Sequence, residues 1–278
     1  MLRLTGGQVV VLKARPSDRQ TPMAISLADL ASSLSFPVEK RLFAEYGAVF
    51  ATTATPPPVI IFDDAAQVEA FQSSLSLGRA VFGDHEIQLQ AVALGALAAA
   101  AAEMAERGGS ITARASDAGG RSYVDTVRLW TRNVTRGLEH WEGLGRITRD
   151  RAQSILELSP VDQASNILNL EDTEQLFFGT FFDKSILYSV AAPGASQHLS
   201  MLAFDVAEFE DCETDEVLGG KGWYRTVPND LPHFTYLGHD QDSLPGLGLR
   251  RTERISGERV YVFWTPDIDR LLDTGRRG

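Results

Sequence analysis

Residues 201–207 (MLAFDVA) and 234–237 (FTYL) are short apolar runs in a part of the chain where glycine and proline recur. Apolar runs of about four to eight residues that are bounded by such turn formers predict β-strands. Two further runs of this kind, 185–190 and 260–264, extend the pattern. The C-terminal part of the chain, from about residue 177 to residue 264, is therefore predicted to form a sheet of short strands.

Helical spacing of apolar residues dominates the sequence before these strands. Apolar residues behind Asp63 predict a short helix, and an alanine-rich stretch predicts a long helix from about Glu86 to Arg107. A third helix is predicted after Ser122, where Ser122 and Asp125 are spaced as a capping box. Residues 148–170 predict two helices, because Pro160 must break or kink a single one. Helices followed by strands indicate an α+β fold rather than a regular βαβ array.

The first 85 residues differ in pattern from the rest of the chain. Apolar runs at 9–12 and 59–62 are separated by polar loops and by three consecutive prolines at 56–58. This pattern predicts a small strand-bearing lobe over residues 1–85, whose role the sequence leaves open. Residues 86–278 are predicted to form an α+β domain in which helices flank a small antiparallel sheet. Residues 110–114 are a further strand candidate in this domain.

Charge and cysteine content exclude several classes of partner and site. The chain has 26 Lys+Arg against 37 Asp+Glu, a formal net charge of -11, which disfavours electrostatic binding to nucleic acid or to an anionic membrane. The single cysteine, Cys212, cannot form an internal disulfide or one of the paired-thiolate sites of structural zinc modules. No stretch has the pattern expected of a membrane span or of a secretory signal.

The densest set of metal-capable side chains comprises His198, Asp205, Asp230 and His233. Two imidazoles and a carboxylate are nitrogen and oxygen ligands that suit a catalytic zinc and leave a fourth position for water. The seven-residue step from His198 to Asp205 separates side chains by roughly 10 Å on a helix and by more than about 20 Å on a strand. The chain must therefore bend there. Pro232 disfavours a helical residue before it, so Asp230 is predicted in a turn and His233 at the start of a strand.

Two separated stretches resemble one family of enzymes. Residues 193–205, PGASQHLSMLAFD, resemble the P-G-x-S-x-H-x-x-G-x-A-x-D signature of the zinc D-alanyl-D-alanine carboxypeptidases and dipeptidases, metallopeptidases of the hedgehog-type fold. Gly222-Trp223 and the later stretch DLPHF, 230–234, resemble that family's G-F/W element and its closing E-x-W-H-F/W motif. The resemblance covers residues 86–240. It implies a zinc-dependent hydrolase that acts on D-alanyl-terminated peptides of the cell wall, and hence a location in the cell envelope or periplasm.

The resemblance also implies roles for individual positions. By position in the motifs, His198, Asp205 and His233 are the zinc ligands. Asp230 stands at the position of the family's glutamate base, and Ser196 matches a serine near the substrate.

The family's arginine, which pairs with the terminal carboxylate of the substrate, has two candidates here. Arg114 matches by its predicted strand, and Arg121 matches by its Gly-Arg-Ser-Tyr context. The sequence leaves the choice between them open.

Three further positions depart from the family pattern, and one of them, Asp230, supports a second hypothesis. Met201 stands where the family has glycine, Asp230 is one methylene shorter than glutamate, and Pro232 replaces a tryptophan. A base must come within about 3 Å of the proton it takes, so a shorter carboxylate bears directly on turnover. The second hypothesis is a non-catalytic relative that binds a peptide or a metal in the same cleft. A third hypothesis is a purely structural or interaction protein.

Overall fold

The computed structural model describes residues 26–274, with side chains described for 26–271. The predicted strand at 9–12 lies outside this range. The α-helices of the described part are α1 (Leu27–Ser33), α2 (Pro37–Tyr46), α3 (Ala65–Ser74), α4 (Ala91–Glu106), α5 (Tyr123–Gly143), α6 (Arg149–Leu156), α7 (Pro160–Glu174), α8 (Cys212–Gly219) and α9 (Ile268–Thr274). The strands are β1 (Leu77–Phe82), β2 (His85–Gln90), β3 (Ala203–Asp205), β4 (Trp223–Tyr224), β5 (His233–Tyr236), β6 (Leu249–Ser256) and β7 (Arg259–Pro266).

The strands form small antiparallel sheets, and the predicted α+β class is confirmed. The central sheet has the order β3-β5-β4, while β1-β2 and β6-β7 are two-stranded. In the central sheet Asp205 lies opposite His233, and Ala203 lies opposite Thr235. Because alternate residues of a strand share a face, Phe234 and Tyr236 pack into an apolar cluster on the other side of β5. The polar side of β5 is thus left for the candidate site.

The predicted starts of α3 and α5 and the break at Pro160 are confirmed by the capping contacts. The side chain of Asp64 accepts a hydrogen bond in the first turn of α3. Ser122 accepts a hydrogen bond from the backbone N–H of Asp125 at the start of α5. Pro160 is in the first turn of α7, where its missing N–H leaves no helical bond unmade, so α6 and α7 are separate helices.

The long helix predicted from Glu86 begins instead at Ala91. Residues 85–90 form β2, which pairs with β1 through a turn at Gly83, whose φ is +65°. Ile87 and Leu89 alternate with polar residues and are almost fully buried, which is the two-residue period of a half-buried strand. The predicted helix began too early because the alanine-rich stretch after residue 90 favours a helix.

Three predicted strands are wrong for a common reason. Residues 59–62 lie in bends, residues 185–190 contain the short 3-10 helix Ile186–Tyr188, and residues 110–114 make only the single bridge Ala113–Val206. Most of their apolar side chains are wholly or partly buried against the core, whereas Val59 and Tyr188 are exposed. A short apolar run indicates that the segment is buried, but it does not distinguish a strand from other buried structure. A strand forms only where a partner strand lies beside the segment.

The N-terminal helices pack on the C-terminal elements. Helix α1 contacts α9, and α2 contacts β7 and α7. The hairpin β1-β2 spans the predicted boundary between residues 85 and 86. The division into domains 1–85 and 86–278 stays a prediction, while the described parts of both segments share their apolar clusters.

No helix between residues 26 and 274 is both long enough and apolar enough to cross a bilayer.

Candidate metal centre

His198, Asp205 and His233 converge on one point at the edge of the central sheet. Asp205 Oδ1 lies 3.3 Å from His198 Nε2 and 3.1 Å from His233 Nδ1. One ligand atom from each residue falls within 4.8 Å of the others. Both histidines are buried, and Asp205 is largely buried with 18% of its side chain exposed. Two stretches that are distant in sequence therefore meet as the motifs predicted.

The local fold brings His198 and Asp205 together through a tight bend. His198 is in the 3-10 helix Gln197–Ser200, and the next residue, Met201, has the left-handed conformation with φ of +59°. The chain then enters β3 and ends that strand at Asp205. The predicted bend is thus confirmed, and it occurs at the position where the resembled family has glycine. A left-handed residue other than glycine costs roughly 1–2 kcal/mol, so tertiary packing must hold Met201 in place.

Carbonyl oxygens on the outer side of each imidazole determine which ring nitrogen faces Asp205. His198 Nδ1 lies 2.5 Å from the backbone oxygen of Gly119, which can only accept, so this nitrogen carries a proton and donates. His233 Nε2 lies 2.8 Å from the side-chain oxygen of Gln197 and likewise donates. In the neutral imidazoles, the lone pairs of His198 Nε2 and His233 Nδ1 therefore point at Asp205 Oδ1.

Three electron-pair acceptors at one point require a positive charge between them. Burial alone raises the pKa of Asp205, but the charges and hydrogen bonds of His198 and His233 outweigh it and hold that pKa well below its ordinary value. Either extra protons on both rings or a cation can supply the charge. Tetrahedral ligands at about 2.0–2.1 Å from a zinc ion lie about 3.3–3.4 Å apart, close to the observed 3.1 and 3.3 Å. The group can therefore hold a metal ion.

Asp230 lies at the rim of this group, in the predicted turn before β5. Its backbone N–H donates to Val227, and its backbone oxygen accepts from the N–H of His233. Asp230 is exposed as a whole residue, but protein atoms surround its carboxyl group. This partial burial raises the pKa of Asp230. The charges of His233 and His198 lower that pKa, and the charge of Asp205 raises it. The charges of all three candidate ligands therefore act on the carboxyl of Asp230.

A buried arginine anchors the turn that carries Asp230. Arg225 donates through Nε to the backbone oxygen of Leu231 at 2.6 Å and through Nη2 to that of Phe209 at 2.7 Å. Its guanidinium lies over the rings of Phe234 and Tyr261, at 4.3 and 5.1 Å from their centroids, and pairs with Asp215. These contacts fix the backbone between β4 and β5.

The two candidate arginines differ in what they face. Arg121 lies near the metal centre, with Nη2 3.8 Å from Asp205 Oδ2 and 3.4 Å from Asp117 Oδ2. Its Nε is buried without a hydrogen-bond partner among the described residues. The guanidinium of Arg114 lies over the ring of Phe209, 5.4 Å from its centroid. Arg121 is therefore the arginine with a free donor beside the candidate ligands.

A cleft of about 340 Å³ lies beside the metal centre on the Arg121 side. Its lining includes Gly119, Arg121, Gln88, Ser122 and Met201. It thus borders both the carbonyl that orients His198 and the arginine close to Asp205.

Ser196 is buried and lines a different and very small cavity, between α2 and residues 194–197. Its predicted role near a substrate stays a prediction.

The outer hydrogen-bond partners of the two histidines were not predicted from the sequence. Gln197 precedes His198 directly, and Thr235 lies two residues after His233 on the same strand face, so adjacency was the available signal for both. Thr226 and the carbonyl of Gly119 reach the site from other segments, and no local pattern indicates them.

Comparison of the chain with family models, with curated proteins and with solved structures found no significant match.

Proposed function

We propose that the protein is a zinc-dependent peptide hydrolase of the carboxypeptidase type. The observation that carries the proposal is the buried convergence of His198, Asp205 and His233, with outer partners that turn the free lone pairs inward. Two imidazole nitrogens and one carboxylate oxygen form the ligand set typical of a catalytic zinc. A coordinating histidine whose second nitrogen donates to an oxygen is also usual in such sites.

The zinc ion and Asp230 would have separate roles in hydrolysis. When bound, zinc would supply a Lewis acid that polarises a carbonyl and makes water a nucleophile near neutral pH. Asp230 would take the proton from the attacking water and pass it to the leaving amine. Its place at the rim, coupled to His233 and Asp205 and raised in pKa by burial, supports this role.

Arg121 would bind the terminal carboxylate of the substrate. A guanidinium makes strong, directional hydrogen bonds to a carboxylate, and Arg121 has a buried Nε with no partner among the described residues. The adjoining cleft, which is lined by Arg121 but not by Asp230 or the three ligands, would hold the end of the peptide. The family resemblance suggests the substrate class: a short peptide that ends in D-alanine, such as a stem peptide of peptidoglycan.

The direct test is release of D-alanine from an acyl-D-Ala-D-Ala peptide by the full-length protein. We expect release with zinc, loss of release after chelation, and recovery when zinc is restored. The matching peptide with a C-terminal amide should react poorly, because it offers no carboxylate. Zinc-independent release, or no release from any peptide by zinc-loaded protein, would overturn the proposed activity.

Replacing Arg121 with alanine is expected to lower kcat/KM for the free-acid peptide and to leave zinc content unchanged. Loss of a hydrogen bond to a charged group costs about 1.5–3 kcal/mol, or roughly 10- to 150-fold. Arg114→Ala tests the other candidate arginine: its guanidinium lies over Phe209, and because its charge also lowers the pKa of Asp230, the pH profile of this variant is measured together with its turnover. If the Arg114 variant loses turnover and the Arg121 variant does not, the assignment is reversed.

A non-catalytic protein that binds metal or peptide in the same cleft is the second candidate. The shorter carboxylate at Asp230 favours it, because reach determines whether a base can take a proton. Stoichiometric zinc and saturable binding of the D-alanyl peptide, with no turnover by the wild type or by Asp230→Glu, would establish this alternative.

A further inference from the structure

We propose that Gln197 is a positioning residue that selects the tautomer through which His233 can bind a metal ion. The proposal rests on the metal-binding part of the proposed function and is independent of peptide hydrolysis. Gln197 is buried, with 3% of its surface exposed, and its side-chain oxygen lies 2.8 Å from His233 Nε2.

The amide of Gln197 is held in one orientation. Its Nε2 lies 2.8 Å from the backbone oxygen of Tyr46. A carbonyl oxygen only accepts hydrogen bonds, so the amide nitrogen must face Tyr46 and the amide oxygen must face His233. A flipped amide would set two oxygens against each other in a buried place, which is unfavourable.

Two threonine hydroxyls complete the surroundings of the amide oxygen. Thr226 Oγ1 lies 3.0 Å and Thr235 Oγ1 lies 2.5 Å from Gln197 Oε1, and the two hydroxyls lie 2.7 Å from each other. The oxygen is therefore the common acceptor of this buried network, and it presents no proton to His233.

The acceptor opposite Nε2 determines the state of the other ring nitrogen. A proton on His233 Nε2 satisfies Gln197 and leaves the lone pair of Nδ1 facing Asp205 Oδ1 at 3.1 Å. The opposite tautomer would place a proton on Nδ1, where it can donate to Asp205 but blocks a metal ion, and it would bring two acceptors to 2.8 Å at Gln197. Gln197 thus stabilises the tautomer that is able to ligate.

This network connects the N-terminal segment to the metal centre. Tyr46 is the last residue of α2, within the first 85 residues and outside the stretch that resembles the metallopeptidases. The carbonyl of Tyr46 orients Gln197, and Gln197 orients His233. The part of the chain whose role the sequence left open therefore contributes to the preparation of the metal site.

The test compares Gln197→Met with the wild-type full-length protein. Methionine keeps the length and volume of the side chain but removes both hydrogen-bonding groups. Loss of an outer-shell partner weakens metal binding by about 10–100-fold, and we expect that loss in zinc affinity, measured by competition with a chelator. Gln163→Met is the matched control, because Gln163 is also buried and joins Trp130 to Ile155 within the helical core. This control should bind zinc as the wild type does.

The tautomer itself provides a second readout that needs no metal. Long-range ¹H–¹⁵N spectra of metal-free protein at about pH 8, above the ordinary histidine pKa, report which nitrogen of His233 is protonated. We expect a proton on Nε2 in the wild type, whether or not Nδ1 also carries one toward Asp205, and Nδ1–H alone in Gln197→Met. A wild-type ring without a proton on Nε2, or wild-type zinc affinity in Gln197→Met, would overturn the positioning role.

Two outcomes separate this proposal from the proposed function and from a folding defect. If the wild type binds no zinc, the metal proposal fails, while the spectra still decide the role of Gln197. If Gln197→Met does not fold, Gln197→Glu replaces it, since its carboxylate keeps an acceptor for His233. The Glu variant is expected to retain Nε2–H, and Nδ1–H in that variant would contradict the proposal.

Discussion

Asp205→Ala is expected to abolish tight zinc binding by the protein. Asp205 is the only anionic member of the candidate ligand set, and its Oδ1 is the atom that both histidine nitrogens approach. Without it, two neutral imidazoles would face a divalent cation with no compensating charge. The loss should exceed the about 10–100-fold that removal of an outer partner causes. Metal analysis after dialysis and chelator competition measure it.

Asp117→Ala is the matched control for this variant. Asp117 also contacts Nη2 of Arg121, so both substitutions remove one negative charge beside the same guanidinium. Asp117 lies outside the ligand group, and its variant should bind zinc normally.

Thermal unfolding is an independent test of zinc binding by these variants. A ligand that binds only the folded state stabilises it by about 2.7 kcal/mol at a free concentration of 100 times Kd. Zinc should therefore raise the Tm of the wild type and of Asp117→Ala, and leave the Tm of Asp205→Ala unchanged. Equal zinc affinity in Asp205→Ala and the wild type would show that Asp205 is not a zinc ligand and would overturn the proposed metal centre.

Asp230→Ala is expected to lower kcat/KM for D-alanine release by about 10²–10⁴-fold, the usual contribution of a general acid-base group. Zinc content should stay stoichiometric, because Asp230 is not a member of the ligand group. Asp230→Glu keeps the carboxyl and extends its reach by one methylene, so it should retain turnover. Stopped assays of released D-alanine, with zinc measured on the same samples, separate loss of chemistry from loss of metal.

Asn229→Ala is the control for the Asp230 variants, since Asn229 is the preceding residue of the same turn and carries no proton-transfer group. It should leave turnover near the wild-type rate. Wild-type turnover in zinc-loaded Asp230→Ala would show that another group transfers the proton.

Patterns that depend on neighbouring residues predicted the structure well. Ser122 and Asp125 marked the start of α5, and Pro160 separated α6 from α7, because caps and proline act within one turn of helix. Pro232 placed His233 at the first residue of β5 for the same reason. The requirement for a bend between His198 and Asp205 also followed from the dimensions of helices and strands.

Patterns that depend on a partner elsewhere in the chain succeeded only in part: the runs 201–207, 234–237 and 260–264 contain strands, but others do not. Residues 59–62 and 185–190 are apolar enough for strands, but no strand lies beside them among the described residues. Residues 86–90 form a strand because β1 pairs with them, although the alanines that follow favour a helix. Pairing is a tertiary property, and a short apolar run by itself reports only burial.

The order of residues along the chain was enough to select the α+β class, the helix boundaries set by caps and prolines, and three side chains chemically suited to a metal. Their convergence, and the ring nitrogen that each histidine presents, depended on the folded molecule. Gly119 lies 79 positions from His198, and Tyr46 lies 151 positions from Gln197. Only folding brings such atoms within hydrogen-bonding distance, and at that distance their direction decides where each proton lies.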